Sequence, residues 1–77
     1  MRRRVTSAQI RAGRGLVNWS VRELSERSGV HRNTITNFET GKSGGDESTI
    51  AAIRAALESA GVVFTNGDEP GVKLRKK

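Results

Sequence analysis

Seventy-seven residues without cysteine, carrying a formal net charge of +6, describe one small domain held together without disulfides or a thiolate-bound metal. No apolar stretch reaches the roughly eighteen residues of a membrane span, and the basic start Met1-Arg2-Arg3-Arg4 lacks the apolar run of a signal peptide, so the expected location is cytoplasmic. Residues 1–42 hold nine Lys/Arg against three acids (+6), residues 43–69 one against five (−4), and residues 70–77 four against none (+4), which directs a polyanion to the N-terminal half.

The first helix is expected from about Ser7 to Val17, capped by Thr6 or Ser7, with Ile10 and Val17 as an inward stripe two turns apart. Gly13 and Gly15 inside it each cost about 1 kcal/mol relative to alanine, so they either admit a close neighbour or are simply tolerated. Asn18, which accepts the left-handed conformation, is the expected stop. Trp19 is expected to pack beneath the second helix as core, the alternative being a stacking role on a base. Ser20 caps that helix, and Glu23 three residues later completes a capping-box pattern.

Val21 to Thr40, VRELSERSGVHRNTITNFET, reads as two short helices joined by a tight turn, the outline of a DNA-reading helix-turn-helix. Leu24 points from the first of them into the angle between the two. Val30 plugs that angle from the turn, and Ile35 and Phe38 line the inner face of the second helix. Ser25 is small where crossing helices approach, and Gly29 supplies the positive φ that the turn needs. The third helix is expected from about His31 to Thr40, ending before Gly41. With the apolar residues buried, Arg32, Asn33, Thr36 and Asn37 fall on the outward face, and the forked groups of Arg and Asn fit purine edges in a major groove.

GKSGGD, residues 41–46, forms a glycine-rich turn. Asp46 or Ser48 then starts a fourth helix through Ala60, with Ile50, Ile53 and Leu57 as core and Gly61 as stop. Val62 to Thr65 and Val72 to Arg75 have strand composition. Pro70 argues against the shortest Asn-Gly hairpin because it would sit inside the return strand, so a longer loop is expected. A two-stranded ribbon is weak alone, and this one should pack on the helices or pair across a dimer. There are no internal repeats.

Trp19-Ser20, Leu24, Ser25, Gly29-Val30, Thr34-Ile35 and Phe38-Glu39-Thr40-Gly41-Lys42 resemble the lambda-repressor/Cro type of helix-turn-helix, the XRE family of phage repressors and small bacterial regulators. The resemblance covers roughly residues 6 to 60. Where the family often has a Gln that binds the DNA backbone, this chain has Val21. Ser28 replaces an apolar or Ala residue, and His31 a Ser or Thr cap. The expected architecture is mainly α, a compact four-helix phage-repressor-like domain over residues 6–61. A basic arm (residues 1–5) precedes it, and a C-terminal β-hairpin with a basic tail (residues 62–77) follows, where many relatives have a fifth helix.

The resemblance assigns base contacts to Arg32, Asn33, Thr36 and Asn37. Ser20 and the free amides of the next turn, Val21 included, form a phosphate seat, and Thr40, Lys42 and Ser43 resemble a second phosphate clamp. His31 is an exposed turn residue or a phosphate contact. The arm Arg2-Arg3-Arg4 either reaches along the DNA or is a solubilising tail. Arg14 and Glu39 occupy positions of a family salt bridge that ties the recognition helix to the first helix. The expected core is Ile10, Val17, Trp19, Leu24, Val30, Ile35, Phe38, Ile50, Ile53 and Leu57.

The function implied is a small DNA-binding repressor acting as a homodimer on a two-fold symmetric operator, with activation open. The alternative is an antitoxin or antiactivator whose main partner is another protein. One histidine, no cysteine and no P-loop give no catalytic site, metal or cofactor.

Overall fold

Capping chemistry sets the helix boundaries in the computed structural model, which describes residues 5–42, 46–65 and 69–75. Arg2, Arg3, Arg4 and Ser43 lie outside the described residues. Helix α1, Ser7–Val17, opens on a closed capping box: the Thr6 hydroxyl accepts the Gln9 amide at 3.1 Å, and the Gln9 side-chain oxygen accepts the Thr6 amide at 2.9 Å. It ends at Asn18, whose φ of 59° is left-handed. Helix α2, Val21–Ser28, was expected to carry the box at Ser20 and Glu23, and only half of it forms. The Ser20 hydroxyl accepts the Glu23 amide at 3.0 Å, but the Glu23 carboxylate turns to Arg27 at 2.6 Å. A charged donor one turn along outcompetes a neutral amide.

Helix α3 spans Arg32–Glu39, one residue shorter at each end than expected. His31 is its N-cap, with Nδ1 accepting the Asn33 amide at 3.0 Å, so an imidazole does the work of the missing Ser or Thr. Helix α4 is Glu47–Ser59. Its cap, Asp46, accepts the Thr49 amide at 2.8 Å and the Ser48 hydroxyl at 3.1 Å. Hydrogen bonds from Thr49 first, then Ser48, hold the Asp46 carboxyl below its ordinary range.

Strands β1 (Val62–Thr65) and β2 (Gly71–Leu74) form an antiparallel hairpin, Val62 opposite Leu74 and Thr65 opposite Gly71. The return strand begins and ends one residue earlier than expected. Pro70 falls just outside the ladder, where its missing N–H breaks no pairing.

Helix α1 touches α3, α4 and both strands, while α2 rests on α3 and α4. Ile10, Leu24, Ile35, Ile53, Leu57 and Val62 are fully buried, joined by Val5, Phe38, Ile50, Ala56 and Phe64. Val17, Trp19 and Val30, expected as core, are partly buried and pack against this cluster. Val5, grouped with the basic arm by composition, is only 4% exposed and belongs to the core. Val62 and Phe64 alternate inward and reach the core where α1 carries Gly13. A Cβ on Gly13 would stand 3.3 Å from Leu57 Cδ1 and 3.4 Å from Val62 Cγ1, whereas one on Gly15 would meet nothing within 4 Å. The first glycine therefore admits α4 and the hairpin, and the second is merely tolerated. Gln9, also buried, donates from its amide to the carbonyls of Thr65 (2.9 Å) and Gly71 (3.0 Å), fastening the mouth of the hairpin to α1.

Candidate nucleic-acid interface

The corner between α2 and α3 is built from short-range bonds. The Ser25 hydroxyl donates to the Val30 carbonyl at 2.6 Å, and the Ser28 hydroxyl accepts the Val30 amide at 3.2 Å. Gly29 bends between them at φ 78°. Ser28, odd by comparison with the apolar residue expected there, is thus accounted for. Leu24 and Ile35 fill the inside of the angle, both fully buried.

With Ile35, Phe38 and Glu39 turned inward, Arg32, Asn33, Thr36 and Asn37 are all exposed. Arg32 to Asn37 span about 7.5 Å of helix axis at ~1.5 Å per residue, a length matched to a few stacked base pairs. The same row includes two amides and a guanidinium, donors and acceptors that pair with base edges.

Glu39 faces the other way. It is 5% exposed, and its carboxylate accepts from Arg14 Nε and Nη2, both at 2.8 Å, while Arg14 Nη1 donates to the Trp19 carbonyl at 3.0 Å. The hydrogen bond to Glu39 raises the Arg14 pKa against the opposing effect of burial. Removing either partner of a buried pair costs about 3–5 kcal/mol, because the other charge is left unpaired. The one acid on α3 is therefore neutralised and withdrawn from the outward face.

The expected backbone-contact residues are less uniform. Ser20 is exposed and uses its oxygen to accept at the head of α2, leaving the hydroxyl proton to donate outward. Val21 is half-buried against the core and offers only its main-chain amide. His31 is exposed. Because Nδ1 accepts the Asn33 amide, the neutral ring carries its proton on Nε2. Thr40 differs from its expected role as a donor to phosphate: its hydroxyl donates back to the Thr36 carbonyl at 2.8 Å, and an anion would have to compete for that proton. Trp19 is partly buried with the Arg27 guanidinium 4.8 Å from its ring centroid, so its ring is in use within the protein.

Cations divide by location. Arg22, Arg27 and Arg54 pair with Glu26, Glu23 and Glu58 along α2 and α4. Arg32 and Lys42, at the two ends of α3, have no acidic partner among the described residues. Sequence reasoning missed Arg11, which donates from Nη1 to the Glu39 carbonyl. Its signal was present in the i, i+3 spacing from Arg14, which puts both arginines on one face of α1. No group of three or more His, Asp or Glu side chains able to hold a metal ion occurs among the described residues, and no helix there is long and apolar enough to cross a membrane.

Comparison with known proteins agrees with this geometry. A family model described as helix-turn-helix matches residues 10–60, from within α1 to the cap that ends α4. No curated protein matches the chain significantly.

Proposed function

The chain belongs to the lambda-repressor/Cro-type (XRE) helix-turn-helix family and is a DNA-binding regulator of transcription, and from that premise we propose a small repressor that binds a two-fold symmetric operator as a homodimer. The observation that carries this reading is the outward row on α3. Arg32, Asn33, Thr36 and Asn37 are exposed and take no part in the core, while Ile35, Phe38 and Glu39 fix the helix beneath them.

Arg32 and Asn33, in the first turn, and Thr36 and Asn37, one turn on, are the residues we assign to base edges. Ser20, the Val21 amide, His31 and Lys42 are assigned to phosphates, with Thr40 and Ser43 completing the clamp after the helix. One recognition helix reads few base pairs, and two copies about one helical turn apart supply the missing specificity. Leu16 and Leu74, 38% and 45% exposed, add apolar surface that a small domain gains by covering. The role is regulatory, without catalysis, in the cytoplasm.

Selection of bound fragments from a randomised duplex pool, with a mass measurement in solution, tests the proposal. A palindromic consensus and a dimeric mass are expected. An asymmetric short site bound by a monomer would exclude the homodimer, and failure to capture any duplex at low salt would favour a protein partner, as for an antitoxin.

A further inference from the structure

At the carbonyl end of the recognition helix, one acceptor takes no donor from α3 or its cap among the described residues, and α1 supplies one. The Thr36 carbonyl accepts the Thr40 amide at 2.9 Å and the Thr40 hydroxyl at 2.8 Å. The Gly41 amide donates to Phe38 at 3.2 Å and the Lys42 amide to Asn37 at 2.9 Å. These last two bonds make the Schellman closure, with Gly41 at φ 81°. Among the described residues the Glu39 carbonyl accepts no main-chain amide, and Arg11 Nη1 donates to it. Arg14, one turn further along α1, takes the Glu39 carboxylate. One residue of α3 is thereby held at its main chain and at its side chain by two arginines of the same helix face.

The two arginines are in different surroundings. Arg14 is largely covered, with its guanidinium committed to Glu39 and Trp19. Arg11 is exposed, and only one of the five guanidinium donors is engaged by Glu39. It sits where α3 passes into Thr40, Gly41 and Lys42, all exposed. A helix C-terminus carries partial negative charge and would repel a phosphate approaching this junction. A guanidinium seated on the last carbonyl reverses that sign.

We propose that Arg11 is a positioning residue for the recognition helix and, through its remaining donors, a contact to a DNA phosphate beside Lys42. The proposal rests on the DNA-binding reading and extends the interface to α1. DNA binding would then draw the same side chain that sets the helix end, so that contact and orientation are coupled through one group.

Two substitutions separate charge from positioning. Arg11→Gln keeps an amide donor for the Glu39 carbonyl and removes the charge, and Arg11→Lys keeps the charge. Affinity is measured against salt on the duplex that the wild-type protein selects from a random pool, with helicity followed by circular dichroism. Each phosphate neutralised contributes about 0.9 to the slope of log affinity against log salt. In a dimer with one Arg11 contact per protomer, Arg11→Gln is expected to lower that slope by about 1.8 (about 0.9 per protomer) at wild-type helicity, and Arg11→Lys to retain it. An unchanged slope in Arg11→Gln, with the wild type bound normally, would overturn the phosphate contact and leave the family reading intact. A slope lost equally in both variants would overturn it too, because charge would not be the determinant. A wild-type protein that captures no duplex would remove both readings together.

Discussion

Asn33 shows how much a single position of α3 has to do. Its main-chain amide is tied to His31, while its side chain is exposed in the first turn of the helix. Truncating it to alanine removes no core contact, so the cost should fall on recognition. Asn33→Ala is expected to weaken binding to the selected duplex by about 1–3 kcal/mol per half-site and to relax the preference at one base pair in each half-site; unchanged affinity and preference in a titration would place Asn33 outside the base-reading set. At this scale the sequence was most legible where patterning alone decides exposure, as for Arg32, Asn33, Thr36 and Asn37 against Ile35 and Phe38. It was least legible for side chains with two options. Thr40 has an exposed hydroxyl that could serve DNA, but the Thr36 carbonyl is nearer and takes it. His31, which lacks the hydroxyl usual in a cap, caps through Nδ1. Neither choice is visible without the local backbone.

Helix α1 carries two glycines that look equivalent as letters and differ in space. Gly15 has open surroundings, so Gly15→Ala removes a helix-propensity penalty of about 1 kcal/mol without any new contact. For a domain of this size that raises the melting temperature by about 4–8 °C. Gly13→Ala gains the same propensity but presses a methyl group against Leu57 and Val62 in the closed core, so it is expected to stabilise less than Gly15→Ala or to destabilise. Thermal denaturation of the two variants side by side checks the order, and equal gains would mean that the hairpin does not need the space. Element existence and type were readable from periodicity and caps, including the stop at Asn18; of the two starts open for α4, Asp46 and Ser48, the cap is Asp46, and the helix ends at Ser59, one residue before the expected Ala60. The capping box was assigned to Ser20 and Glu23 because its letters match, yet the closed box is at Thr6 and Gln9. The letters Thr6 and Gln9 fit the same pattern, and Gln9 has a second role that they do not show. Its partners, Thr65 and Gly71, are more than fifty residues away, and no local pattern announces them.

Across the whole molecule, the helix-turn-helix match ends at residue 60 and the core does not. Val62 and Phe64 are buried with residues of α1 and α4, and Val5 at the opposite end of the chain joins them. A chain truncated after Ala60 is therefore expected to lose its cooperative thermal transition at temperatures where the full chain stays folded. Circular dichroism decides this, and a fragment melting at the full-length temperature would make the hairpin an ornament. Sequence composition gave two strands and a longer loop, since Pro70 forbids the short one, but left open whether the ribbon would cover helices or meet a second copy. The helices take it because Gly13 leaves a slot for it. The segmental excess of charge was legible, but its pairing was not: Arg22, Arg27 and Arg54 find glutamates at helical spacing, while Arg32 and Lys42 have none among the described residues.

The amide of Gln9 grips both rims of the ribbon, at Thr65 and Gly71, so strand alignment is anchored from the helix side in addition to the connection between the strands. A label or foreign peptide spliced between the strands is therefore expected to leave Val62 opposite Leu74 and Thr65 opposite Gly71, which amide chemical shifts of the insertion variant would check.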